Sequence, residues 1–361
     1  MQKTIAVLAG DGIGQEIMSA ALPVLAAIEN KFQHQFILKE ALIGGAAYDQ
    51  YGCHFPDKTR DICLQTNAIL FGSVGGPITE SHLEKWQNCE RNSILALRQY
   101  FTLNANFRPI AVYAELAELS PLKNSLSTNV DMLIVRELVG DIYFGEHKRY
   151  IQNGLRCSSD VAHYNEEQIA SVAHLAFQAA QKRKKVVTSV DKANVLETSR
   201  LWREVVTEIS KHYTDVTLQH MLVDNCAMQL IINPQQFDVI VTANLFGDIL
   251  SDAAAALPGS LGLIPSASTN SSGFGLYEPA GGSAPNIAGK NIANPIAQIL
   301  SVALMLSYSF ALEAEAVLIE NAVRHVLQNG LRTKDIYRPG TELVGTQEMG
   351  HAIANIITID K

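Results

Sequence analysis

Short β-rich runs alternate with longer helical runs along this chain, and no other feature narrows its fold as far. TIAVLAG leads into GQEIMSAALPVLAAIE, KKVVTSV into LETSRLWREVVTEIS, and FDVIVT into a run beginning NLFGDILSD. Strands that each hand over to a helix predict an α/β fold, with a central largely parallel or mixed sheet flanked by helices. At 361 residues the chain is long enough for two domains. Crossings are expected around Leu103 to Arg108 and in the Pro/Gly/Ser-rich stretch LPGSLGLIPSAS near Pro258. One domain then spans 1–103 with 260–361, and the other 104–259. EHKRYIQNGLRCSSDVAHY lacks helical period and reads as a protruding loop or β-arm near 145–165.

Composition removes several function classes. A 47% hydrophobic content with only 12 prolines describes a folded globular chain, and a formal charge of -8 argues against a nucleic-acid partner. KRKK at Lys182 to Lys185 ends a helical stretch, where cations suit the macrodipole. Five scattered cysteines without C-x-x-C indicate neither a disulfide framework nor a thiolate metal site. The N-terminus carries no secretory pattern, so a cytoplasmic location is expected. IAQILSVALMLSYSF suits a buried helix better than a membrane span, and no membrane partner is expected.

Asp248 and Asp252 stand four apart in a helical run, which puts both carboxylates on one face about one turn apart. Asp224 opens another helical run, VDNCAMQLII, after a strand. Three such oxygen donors suit Mg2+ or Mn2+ rather than Zn2+. Arg98, Arg108 and Arg136 are candidates for bidentate grips on the carboxylates of a small dicarboxylate. Lys192 follows the strand KKVVTSV, at the strand end where α/β proteins place ligands, and Tyr143 follows Arg136 in its segment. Both are candidate proton carriers. GDGIG begins like a dinucleotide fingerprint but has Gln15 at the sixth position, so it supports only a tight turn near a helix N-terminus. The cluster EPAGGSAPNIAGKNIANP offers small residues whose backbone N–H groups a ligand can approach closely.

Together these motifs resemble the isocitrate/isopropylmalate dehydrogenase family of metal-dependent β-decarboxylating dehydrogenases. The resemblance runs almost chain-long through GDGIG, LFGSVGGP, LALRQYFTLNANFRP, VRELVGDIYFG, VDKANVLETSRLWREV, VDNCAMQL, NLFGDILSD, GSLGLIPSAS and GLYEPAGGSAPNIAGKNIANP, in the family's order. It implies a two-domain fold of that family's own type, not a Rossmann fold, with the discontinuous domain binding cofactor and 104–259 binding substrate and metal and forming the dimer. The implied roles are Arg98, Arg108 and Arg136 on substrate carboxylates; Asp224, Asp248 and Asp252 on Mg2+ or Mn2+, with Asp224 also touching substrate; Lys192 as general base; and Tyr143 as general acid. The dimer partner is expected to supply Lys192 and Asp224, so one chain alone lacks a complete site. Ile13, Glu278, Gly282, Ser283, Ala284, Pro285, Asn286, Ile287 and Asn294 are implied contacts for NAD.

The implied reaction is oxidative decarboxylation of (2R,3S)-3-isopropylmalate to 4-methyl-2-oxopentanoate in leucine biosynthesis. Ile94, Leu95 and Val195 stand where the variable group of the substrate is met, and an aliphatic pair there would strand a third carboxylate. Asn92 and Ser93 are neighbouring hydrogen-bonding residues. Dehydrogenases of D-malate, tartrate, homoisocitrate or isocitrate are alternatives, as is a non-catalytic regulatory subunit, although the proton-transfer and metal residues are all retained. Three departures from the family stand out. Asn286 replaces the aspartate usual in NAD-using members, with Lys290 the nearest basic residue; Asp141 replaces a common glycine; and the arm is short.

Overall fold

The computed structural model describes residues 1–359. The chain divides into two compact units, one made of Met1–Phe101 with the chain from Pro258 onward, the other of Thr102–Leu257. Strands β1 (Gln2–Gly10), β2 (Gln35–Glu40) and β3 (Ala68–Ser73) open the first unit. The second holds β4 (Ala105–Ala111), β5 (Asp131–Glu137), β6 (His147–Gln152), β7 (Leu155–Asp160), β8 (Val186–Asp191), β9 (Thr217–Leu222) and β10 (Val239–Thr242). After it, β11 (Pro265–Thr269) and β12 (Gly275–Pro279) belong again to the first.

Within the first unit the strand order is β2-β1-β3-β12-β11, parallel except between β11 and β12. Within the second it is β4-β5-β10-β8-β9, parallel except between β4 and β5. The central strands read as unbroken apolar runs because helices cover both faces of a parallel sheet. Met132 to Val135 and Val239 to Val241 are all buried. In the first unit, Ile17, Ala21, Val24, Leu25 and Ile28 repeat at three and four residues and form one buried stripe of the Gly14–Phe32 helix. The Ile296–Tyr308 helix is buried at almost every position, so its apolar character belongs to the core. Among the described residues no helix is long and apolar enough to cross a membrane.

The segment expected as an arm is an antiparallel hairpin, β6 on β7, in its own two-stranded sheet. Gln152 pairs with Leu155 across Asn153-Gly154, both at positive φ (53° and 77°). Asn-Gly is the dipeptide that a two-residue turn with two positive φ angles demands, and such a turn matches the twist of the flanking strands. Both strands are largely exposed. Cys53, Cys63, Cys89, Cys157 and Cys226 are all free thiols.

GDGIG forms the tight turn expected before a helix, and its glycines are needed for close approach. Gly12 has φ 55°, and a Cβ there would lie 2.0 Å from the Ser283 carbonyl oxygen. That contact lets the Ile13 N–H donate to the Ser283 oxygen at 2.8 Å, joining the turn to the glycine-rich loop. Asp11 ties further loops together, its buried carboxylate accepting from Gly45, Ala46 and Gly75 N–H at 2.9, 2.9 and 3.0 Å. Gly12→Ala adds both a left-handed alanine and an overlap with backbone, for an expected loss of about 2–4 kcal/mol. Denaturant unfolding checks this, and an unchanged midpoint contradicts it.

Candidate active site

The antiparallel register of β4 and β5 sets Asn106 opposite Arg136 and Arg108 opposite Ile134. Arg108 and Arg136 are therefore diagonal neighbours on one face of the sheet. Both are buried, at 9% and 5% exposure, so each guanidinium needs an anion. The Asn244–Ala255 helix supplies them. Arg108 Nη1 donates to Asp252 Oδ1 at 2.7 Å and to Ser251 Oγ at 2.7 Å, while its Nε donates to Asn106 Oδ1 at 3.0 Å. Arg136 Nη1 pairs with Asp248 Oδ1, and its Nε and Nη2 both donate to Asn244 Oδ1 at 3.0 and 2.8 Å. Gly247 makes this approach possible, because a Cβ there would stand 2.5 Å from Arg136 Cγ.

The two aspartates expected to hold a cation thus share a helix face as their spacing predicts. The Asp252 side chain is 72% exposed and that of Asp248 37%. Exposed carboxylate oxygens are the donor set a hard divalent cation prefers, and Mg2+ commonly takes only one or two carboxylates beside water and substrate oxygens. Among the described residues no three His, Cys, Asp or Glu side chains gather into a metal cluster. Asp224, on the Val223–Ile232 helix, instead receives the Lys192 ammonium at 2.6 Å, and that hydrogen bond holds its carboxyl below the usual carboxylate range. Lys192 follows β8, where Asp191 is held by two bonds from Arg203 at 2.9 and 2.8 Å. Val195, three residues beyond Lys192, is exposed.

Tyr143 joins the arginine-aspartate array. Its hydroxyl donates to Asp248 Oδ2 at 2.8 Å, and the Arg136 guanidinium carbon lies 5.4 Å from its ring centroid. Partial burial, and then the Asp248 carboxylate, raise its pKa above the ordinary tyrosine value. The phenol accordingly keeps its proton through neutral pH, as a proton donor must.

In the first unit, Arg98 Nη2 donates to Glu278 Oε1 at 2.6 Å, joining an expected substrate ligand to an expected cofactor contact. Arg98 Nε is buried without a partner among the described residues. Ile94 and Leu95 lie in a π-helical turn, Arg91–Leu95, and Arg98 lies in the Ala96–Tyr100 helix that follows it. Ser93 is fully buried and its hydroxyl donates to the Cys89 carbonyl, while Asn92 lines a separate cavity with Tyr48, His54 and Phe55. Gly282 has open space around it, and Ala284 and Ile287 close a turn through a 3.0 Å backbone bond, with Pro285 and Asn286 between them. Such a loop, with Ile13 bonded to Ser283, leaves room for a ligand to approach backbone closely. Asn286 is exposed, and Lys290 folds back to donate to its backbone oxygen at 2.7 Å. Asn294 bonds Asp335 at 3.0 Å through its amide nitrogen and caps Ile296 N–H at 3.0 Å through its oxygen.

Sequence reading did not identify the residues behind this array. Glu137 is fully buried, accepts from Val139 and Gly140 N–H and from the Tyr164 hydroxyl, and has its pKa raised by burial. The Tyr164 oxygen in turn accepts the Asn244 N–H at 2.9 Å. Only Asn244, directly ahead of the aspartate spacing, carried a local signal, as a polar residue at a helix start.

Residues 4–353 match the model of the isocitrate/isopropylmalate dehydrogenase family. The chain is 50% identical to the 3-isopropylmalate dehydrogenase of Clostridium acetobutylicum, covering 97% of this chain and 98% of that one. It is 52% identical to the 3-isopropylmalate dehydrogenase of Geobacillus kaustophilus, over 98% and 95%. Among solved structures, isocitrate dehydrogenase from Methylococcus capsulatus superposes with a TM-score of 0.85 at 33% identity, covering 99% of each chain. With the strand orders and the paired arginines and aspartates already in hand, these matches establish that the chain belongs to the isocitrate/isopropylmalate dehydrogenase family.

Proposed function

We propose that this chain catalyses the NAD-dependent oxidative decarboxylation of (2R,3S)-3-isopropylmalate to 4-methyl-2-oxopentanoate. The observation that carries the reading is the pair of buried arginines, Arg108 and Arg136, each neutralised by an aspartate of one helix face. These ion pairs are exchangeable: a dicarboxylate takes over the guanidiniums and releases Asp248 and Asp252 toward a cation. Arg98 is the proposed third grip, with Glu278 as its resting partner. Asp248 and Asp252 would hold Mg2+ or Mn2+, which when bound would supply Lewis-acid polarisation, and the glycine-rich loop would hold NAD, which would supply the hydride acceptor. Lys192 accepts the hydroxyl proton, and Tyr143 delivers its phenolic proton to carbon after carbon dioxide leaves.

Substrate choice rests on donors as much as on apolar surface. A third carboxylate beside Ile94 and Leu95 needs hydrogen-bond donors, and the Ser93 proton is already engaged by Cys89. A branched alkyl group needs none and gains from burial against the aliphatic pair. The relatives named above as 3-isopropylmalate dehydrogenases support the same choice.

A homodimer with shared sites is part of this reading. Met228, Ile231 and Ile232 on the Val223–Ile232 helix, Ile249 on the aspartate helix, and Ile151 and Leu155 on the hairpin are all exposed apolar residues. Covering them with a second copy removes a large apolar surface from water. Lys192 and Asp224 pair with each other, which suits their acting together in the partner's site.

With Mn2+ present, kcat/KM for 3-isopropylmalate is expected to exceed that for isocitrate by about a hundredfold, the cost of an unpaired carboxylate. Asp248→Asn should abolish the metal-dependent rate without unfolding the protein. Comparable efficiency with isocitrate, malate or tartrate overturns the substrate assignment, and metal-independent turnover in Asp248→Asn overturns the cation site.

NAD is proposed as the preferred cofactor, less strictly than in members with aspartate at 286. Asparagine lacks the charge that repels a 2′-phosphate, and Lys290 sits within hydrogen-bonding distance of the Asn286 backbone. Asn286→Asp should shift the NAD to NADP efficiency ratio toward NAD by about tenfold, and Lys290→Ala should lower NADP use more than NAD use. An unchanged ratio in both variants contradicts this placement of the ribose.

A further inference from the structure

The helix that carries Asp248 and Asp252 has no cap of its own. It spans Asn244–Ala255, the preceding residue is Ala243, and no side chain at that position accepts from the first turn. Its first free N–H groups are taken instead by two distant side chains. Tyr164, held by Glu137, accepts from Asn244, and Asp141 Oδ2 accepts from Leu245 at 2.9 Å. Asp141 Oδ1 meanwhile accepts the N–H of Ile142 at 2.8 Å. One buried carboxylate therefore fastens two segments together. On one side Tyr143 follows two residues later, and on the other Asp248 follows three residues after Leu245. Tyr143 and Asp248 meet at 2.8 Å. Asp141 itself lies at φ 70°, a left-handed conformation that aspartate tolerates better than most side chains do.

We propose that Asp141 is a positioning residue that sets the register between Tyr143 and Asp248, and through Asp248 the cation site of the aspartate helix. This inference rests on the roles proposed above for those two residues. A staple at the helix N-terminus fixes how far the helix extends toward the Tyr143 segment. Without it, the first turn is free to fray or shift, and the Asp248 carboxylate moves relative to both the Tyr143 hydroxyl and Arg136. Carboxylate at a helix N-terminus also favours the helix through its dipole, so the staple is retained while water competes for the same N–H.

Glycine at 141 accepts the left-handed backbone and deletes the staple, whereas asparagine keeps an acceptor oxygen and also tolerates that backbone. The test compares wild type, Asp141→Gly, Asp141→Asn and Asp248→Asn as full-length protein. Mn2+ binding is measured directly by calorimetry without substrate, alongside kcat and KM. Loss of one charge-assisted bond predicts about a tenfold weaker Mn2+ affinity and about a tenfold lower kcat in Asp141→Gly. The KM for the hydroxy acid should stay within about twofold, and Asp141→Asn should recover most of both losses. A residue that merely stabilises the fold lowers the unfolding temperature and leaves metal affinity and kcat unchanged below it. Wild-type Mn2+ affinity and kcat in Asp141→Gly overturn the inference, as does an Asp141→Asn variant as impaired as the glycine one. If Asp248→Asn binds Mn2+ as wild type does, the metal assignment itself falls, and with it this inference; if Asp248→Asn loses Mn2+ and Asp141→Gly does not, only the inference falls.

Discussion

Two buried guanidiniums set next to each other on a sheet are untenable unless something negative meets each of them. Arg108 and Arg136 come to that position through the antiparallel pairing of β4 and β5, which sets them diagonally on one face. The anions that answer them must share roughly the same separation, and an α-helix offers it between residues four apart. Asp248 and Asp252 meet this requirement, and the helix carrying them packs against β5 and β4. Gly247, next to Asp248 in the chain, is the point where the helix backbone can come close enough to Arg136.

That constraint also explains why the array suits chemistry as well as folding. An arginine paired with an exposed aspartate has an alternative partner in any substrate carboxylate, and the released aspartate has an alternative partner in a divalent cation. Charge is conserved across the proposed exchange, so the array is already organised for both a carboxylate and a cation. Asn244, Asn106 and Ser251 also accept hydrogen bonds from the guanidiniums, independently of the aspartates. Arg98 and Glu278 form a similar resting pair in the first unit.

Much of this was legible in the chain because it is local. Alternating strands and helices, the four-residue spacing of Asp248 and Asp252, the tight turn at GDGIG and the non-helical, arm-like character near 145–165 follow from periodicity and backbone chemistry within a few residues. The arginines were legible as candidates and not as neighbours, since only strand register makes Arg108 and Arg136 diagonal. Glu137, Tyr164 and Asp141 were not legible as supports at all, because the bonds that link Glu137 to Tyr164, and Tyr164 and Asp141 to the aspartate helix, span long stretches of sequence and a lone Glu, Tyr or Asp carries no positional code. The same holds for Ser93, whose hydroxyl turns back onto its own helix, and for Lys290, which folds onto the Asn286 carbonyl. The pairing of Lys192 with Asp224 is likewise tertiary.

The proposed site draws Lys192 from one chain and the aspartate helix from another. Subunit mixing tests it most directly, using Lys192→Met and Asp248→Asn proteins that are each inactive alone. In a two-fold dimer formed by random exchange, half the molecules are mixed and each of these holds one site with both residues intact. Recovery of about a quarter of wild-type activity is expected. No recovery after subunit exchange has been verified contradicts it.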